Sequence, residues 1–263
     1  MKNSTLIANL TEKIRSIKLR QKRKIIPIPP EISQSSENSI RQTIAQKYLK
    51  GEGIEIGALN NPLKLPHSVK VKYLDKYPFE KLKIHDPNFK TQECVNVDIF
   101  DDGEKLESLK DSSVDFVIAN HFIEHCENPI KAFENMIRVI KSSGILFLSI
   151  PDKRFIFDRD RPITSMEHII KDYNEGPQYS KRLHYEEWVK YLGTSANLSG
   201  VHYDDVSEEV DHLMKIDYSI HYHVWTQKEF LEYILLLKKM FNTFELELFI
   251  KNNTEVVVVI RKN

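Results

Sequence analysis

The chain has 263 residues, 38 basic and 38 acidic side chains with a formal net charge of +0, and 41% apolar content. That balance supplies a globular core, and it excludes a disordered chain or one that binds polyanions through its overall field. Cys94 and Cys126 are the only cysteines, too few for a disulfide framework, so a reducing cytoplasm is the expected setting. No apolar run reaches membrane-spanning length, and the first residues lack the apolar core of a signal peptide.

Charge is unevenly placed. Up to Pro30 there are eight basic residues (Lys2, Lys13, Arg15, Lys18, Arg20, Lys22, Arg23 and Lys24) against the single acid Glu12. Leu6, Leu10, Ile14 and Ile17 share one face at helical spacing. The plain reading is a solvated helix resting on the main domain; the sharper one is contact with an anionic membrane surface or a protein partner. Ile25–Pro30 ends this helix, and Glu31–Ser39 reads as polar linker. We therefore expect a basic extension over residues 1–38 and one domain over 39–263, with a helix from about Ile40 to Lys50.

Gly53–Ile56 is a short apolar strand with Glu55 near its end, followed by a turn at Gly57 and Ala58. About 20 residues on, a second strand ends in Asp75 and Lys76, the spacing of a strand–helix–strand unit. A glycine turn with an acid at the next strand tip suits an adenosine-type ligand. Backbone can approach the ligand at the glycine, and the acid accepts from ribose hydroxyls. A third strand is expected over Glu93–Ile99, with Asp98 near its end. Ser113–His121 is a fourth strand, apolar on both faces, closing on Asn120 and His121. Asn128–Gly144 is an amphipathic helix with proline in its first turn and Gly144 at its end. Ile145–Pro151 is a fifth strand.

Residues 152–225 form a polar and aromatic stretch. Thr226 and Glu229 make a capping box at the head of a helix. Phe244–Ile250 and Glu255–Lys262 are two closing strands, joined antiparallel by Lys251–Thr254. Strands alternating with helices predict a doubly wound α/β sheet, mostly parallel, of seven strands.

With its closing hairpin this order resembles the class I S-adenosylmethionine-dependent methyltransferases over about Gly51–Lys262. "HFIEH" after strand four and "SSGILFLSIP" at strand five resemble the family's small-molecule branch. "IPDKRFIFDRDRP" is similar to methyltransferases of bacterial surface-polysaccharide pathways. The resemblance implies S-adenosylmethionine as cofactor, held by Glu55, Gly57, Ala58, Asp75, Lys76, Asp98, Ile99, Asn120 and His121. Asp98 would meet the adenine amine and Ile99 would pack on the ring. The family loop reads acid-x-Gly-x-Gly-x-Gly; here Leu59 and Asn61 replace two glycines, and Asn60 and Asn61 could supply left-handed backbone.

Methyl transfer needs alignment above all, and a base where the acceptor is a hydroxyl. His125, His121 and Asp152 are the candidates for that task. The insert over 152–225 should form the acceptor pocket, with Arg154, Arg161, His168, His184, His221, His223 and Trp225 as candidate contacts to a sugar or phosphorylated metabolite. Each of these has a plainer reading as a hydrogen-bonded loop residue or a structural ion pair. His-x-x-Glu-His also spells an inverted zinc-protease signature, which needs a helix to bring both histidines to one metal. Here it lies between a buried strand and Pro129, so no metal is assigned. The rival readings are a cofactor-binding module without activity and a zinc hydrolase built on His121 and His125. A nucleic-acid substrate is not expected, since the sheet domain carries no basic stripe.

Overall fold

The computed structural model describes residues 40–78, 94–193 and 206–263. The expected basic extension over residues 1–38 lies outside these.

Seven strands form one sheet in the order β3-β2-β1-β4-β5-β7-β6. They are β1 (Glu52–Ile56), β2 (Lys70–Asp75), β3 (Ile99–Phe100), β4 (Val114–Asn120), β5 (Ile140–Pro151), β6 (Phe244–Asn252) and β7 (Glu255–Lys262). The pairs β1–β2, β2–β3, β1–β4 and β4–β5 are parallel, while β7 runs antiparallel to both β5 and β6. Only β7 therefore runs against the others.

The apolar runs in β4, β5 and β7 are continuous because both sheet faces are covered. Phe116, Ile118, Phe147, Val257 and Val259 pack beside Ile44 and Ala45 of helix α1 (40–48) and Leu49 just after it. Their sequence neighbours Val117, Ala119, Leu148 and Val258 face the opposite side, against α2 (Pro129–Val139) and α6 (Gln227–Phe241). At α2, the Asn128 side chain accepts from Lys131 N, and Pro129 occupies the first turn. The capping box of Thr226 and Glu229 starts α6 as expected.

Three expectations need correction. The third strand shrinks to Ile99–Phe100, because Val95 N donates to Leu59 O at 2.9 Å and the segment crosses the β1 turn instead of joining the sheet. Helix α2 stops at Val139, and Gly144 lies inside β5. A Cβ at Gly144 would stand 2.6 Å from the Asp115 carbonyl, so the glycine permits close strand approach at the register shift in the β4–β5 ladder. The insert is helical: α3 (Met166–Glu175), α4 (Lys181–Trp188) and α5 (Val206–Lys215). It has a small core of its own around Tyr185, Trp188, Val210, Leu213 and Ile220.

Candidate active site

The carboxyl ends of β1, β2 and β4 meet at one rim, where open α/β sheets bind ligands. Gly57 turns away from β1 at φ 63°, its N–H donating to Leu74 O at 2.9 Å. A Cβ there would meet only Phe122, at 3.9 Å, so the glycine serves the backbone angle. The second left-handed residue of the turn is Leu59, φ 49°, where Asn60 or Asn61 was expected. Glu55 is buried beneath the turn and accepts from Leu63 N through both oxygens, at 3.0 and 3.1 Å. Burial pushes its carboxyl up to about 7 against the pull of that N–H, Arg41 and Asn120. Its task is to tie the loop down.

Asp75 at the β2 tip is also raised by burial. Its Oδ1 accepts a long bond, 3.4 Å, from Tyr77 N, and the Lys76 N–H also pulls on the carboxylate. Ala58, Leu59 and Asp75 line a crevice together with Cys94, Val95 and Val97. Asp98 is not at the rim: it accepts from Tyr73 N at 2.8 Å, one ladder step before the strand tip. Ile99 packs toward the core cluster and so turns away from an adenine site. Asp101 and Asp102 hold the tip position instead, because Asp75 pairs with Phe100. Asp101 is bound by Ser108 through Oδ2, while Asp102 accepts from Glu104 N at 3.0 Å. Lys76 forms an ion pair with Asp217 of the insert at 2.7 Å.

His121 follows β4 with φ 49°. Its Nε2 donates to Glu255 Oε2 at 2.8 Å, and Arg41 pairs with the same carboxylate. Asn120 accepts from Ser149 Oγ at 3.0 Å. The one-turn 3-10 segment Ile123–His125 then presents Glu124 and His125. The Glu124 side chain is buried, accepts no hydrogen bond of normal geometry among the described residues, and has its carboxyl raised by burial. His125 Nδ1 lies 2.9 Å from Ile220 O. A carbonyl only accepts, so Nδ1 carries the proton and Nε2 the lone pair. Burial, and then His221, lowers the basicity of this ring.

His221 Nδ1 lies 2.5 Å from Asp158 Oδ2, and the other Asp158 oxygen accepts from Arg161 at 2.7 Å. One donor atom each from Glu124, His125 and His221 lie within 4.8 Å of one another. Phe157, 55% exposed, stands with its ring 4.8 Å from that of His221.

Residues 78–148 match the family model described as "Methyltransferase domain". Over this stretch the chain is similar to methyltransferase domains, and that similarity implies S-adenosylmethionine as cofactor. Among solved structures, a methyltransferase from Aquifex aeolicus shares 13% identity over 82% of this chain and 85% of its own, with a TM-score of 0.40. A possible histamine N-methyltransferase from Thermotoga maritima shares 16% over 89% and 91%, TM-score 0.45. The PH0226 protein of Pyrococcus horikoshii shares 18% over 89% and 94%, TM-score 0.48. No curated protein sequence matches the chain.

The methyltransferase rim fits its cofactor. The turn at Gly57 is open on the side a Cβ would fill, and Asp75 is a desolvated carboxylate whose lone pairs are barely engaged. Ribose hydroxyls are donors of the kind it lacks.

The insert residues divide. Asp152 is fully buried and spent on Arg154 and on Gln227 N at the head of α6, which leaves it no lone pair for a proton shuttle. Arg154 is correspondingly paired. Arg161 is 2% exposed and locked between Asp158 and Glu187. Trp225 is in the core, stacked near His223 and Tyr233. His168, His184 and His223 form a second cluster with Asp172. His121 and His125 are not brought to one metal, because the 3-10 turn directs one ring to Glu255 and the other to Ile220. Sequence reasoning missed Glu124, Asp102 and Glu255, and counted Asp158 only among the charged residues the insert offers. Only Glu124, inside "HFIEH", had a signal.

Proposed function

We propose that this methyltransferase acts on a hydroxyl of a small neutral sugar or polyol, with His221 accepting the proton and Asp158 orienting the ring. The observation that carries the reading is the His221–Asp158 pair beside Glu124 and His125 at the rim. A carboxylate accepts, so Nδ1 of His221 holds a proton and its Nε2 keeps a lone pair. Asp158 fixes that tautomer and stabilises the cation formed when Nε2 takes the hydroxyl proton. His125, weakly basic and fixed on Ile220, shapes the pocket edge and acts as a positioning residue. Asp75 and the Gly57 turn hold the nucleoside, whose sulfonium supplies an electrophilic methyl group when bound.

Phe157 offers a ring on which a sugar face stacks. The side chains expected to grip phosphate, Arg154 and Arg161, are already paired, which favours a neutral acceptor. The pattern "IPDKRFIFDRDRP" supports an acceptor of the surface-glycan class, handled in the cytoplasm. The basic residues 1–38 suit contact with an anionic surface there. Among the described residues no helix is long and apolar enough to cross a membrane.

The test is His221→Asn, assayed for turnover on a panel of neutral and phosphorylated sugars and titrated with S-adenosylmethionine by calorimetry. Loss of a general base lowers kcat by roughly 10²–10⁴-fold while cofactor affinity holds. Unchanged turnover removes His221 from the mechanism, and preferred turnover of a phosphorylated sugar removes the neutral acceptor.

A further inference from the structure

We propose that His168, Asp172, His184 and His223 form a closed structural zinc site inside the insert. The site is separate from the rim and stands whether or not His221 is the base. One donor atom from each of the four lies within 4.8 Å of the other three. They come from three elements: His168 and Asp172 one turn apart on α3, His184 on α4, and His223 on the segment leading into α6.

Hydrogen bonding does not account for this convergence. His168 Nε2 is 2.9 Å from His184 Nε2 and 3.0 Å from Asp172 Oδ2. A single N–H cannot serve both, and Asp172 Oδ2 accepts no aligned hydrogen bond. His223 is fully buried, and neither of its ring nitrogens closes a hydrogen bond of normal geometry. An orphaned imidazole in the interior is costly. A cation satisfies all four lone pairs together. In tetrahedral zinc with N and O ligands the ligand atoms stand about 3.3 Å apart, close to the separations seen here.

The surroundings suit a metal centre as well. Ser180 Oγ donates to Asp172 Oδ1 at 2.6 Å, which fixes the carboxylate and leaves Oδ2 facing the rings. Three imidazoles and one carboxylate, buried and with no side open to solvent except at His168, match a structural zinc set better than an oxygen-rich calcium or magnesium set. The ion would fasten α3 and α4 to the segment that carries His221, two residues before His223.

The decisive measurement is elemental analysis of the full chain purified from zinc-supplemented medium, beside His184→Ala, Asp172→Asn and Glu124→Gln. The expected result is about one zinc per chain in the parent and in Glu124→Gln, as one closed set takes one ion. It should fall near zero in His184→Ala and Asp172→Asn, and chelation should lower the melting temperature reversibly. Cobalt replacement should give tetrahedral visible absorption. If His184→Ala does not fold, Asp172→Asn, which keeps the shape, decides alone. No bound metal in the parent overturns the proposal. Zinc kept by Asp172→Asn, or lost in Glu124→Gln, overturns it too, the latter placing the ion at the rim.

Discussion

The two halves of the rim hold their carboxylates in different ways. On the cofactor side, main-chain N–H groups do it: Leu63 for Glu55, and Glu127 with Asn128 for Glu104. On the acceptor side, cationic or imidazole side chains do it: Arg41 and His121 for Glu255, Arg154 for Asp152, Arg161 and His221 for Asp158. Backbone donors are fixed by the fold and carry no net charge, so acids they hold keep part of the burial penalty. Side-chain cations cancel the charge, but each partner then depends on the other. The cofactor side should respond to pH, and the acceptor side to removal of a partner.

Arg161→Met tests that dependence at its strongest. Arg161 is buried with Asp158 and faces Glu187. Its loss strands a buried carboxylate, which costs about 3–5 kcal/mol. Denaturant midpoints should fall accordingly, and His221 should lose its anchor. Adding Asp158→Asn should recover much of the stability without recovering turnover. A small loss in Arg161→Met alone would show that the acceptor side does not rest on cation pairing.

Glu55 tests the other side. Its carboxyl titrates near 7 in the folded chain against an ordinary value of 4.5. The folded state therefore holds the proton over that window while the unfolded chain releases it. By linkage, this group's contribution is present in full below about 4.5 and is lost as pH rises through 7. The change is at most about 3 kcal/mol. Glu55→Gln should flatten the slope of stability between those limits, read from urea midpoints at several pH values. A slope unchanged by the substitution would place the proton elsewhere, with Glu104, raised to about 7 by the same burial, as the next group to test.

The same division explains what could be read in advance. Backbone-held elements follow chain order, so the α6 cap and every strand but the third were legible in the sequence. Asp98 was misplaced because β3 begins where the expected strand ended, so its tip falls at Asp101 and Asp102. On the acceptor side the partners are distant in sequence: 63 residues separate His221 from Asp158, and 214 separate Arg41 from Glu255. No local pattern records such pairs. His168 and Asp172 did stand at helical spacing, yet they were hidden while residues 152–225 read as loop. The histidines assigned to one acceptor pocket belong to two clusters, and only the tertiary fold separates them.

Asp75→Asn gives the smallest effect and the sharpest one. The carboxylate is engaged only by the neighbouring Tyr77 and Lys76 N–H groups and is already raised by burial, so the fold gains little from its charge. An amide of the same shape should leave the melting temperature level or slightly higher. Cofactor binding should respond the other way. Hydrogen bonds to a charged acceptor contribute about 1.5–3 kcal/mol, so S-adenosylmethionine should bind roughly 10–100-fold more weakly by calorimetry. Stability kept while affinity falls is the mark of a group placed for a ligand at the fold's expense. A drop in stability with affinity unchanged would make Asp75 one more tether of the β2 tip, and would leave the nucleoside to be held from the Gly57 side of the rim.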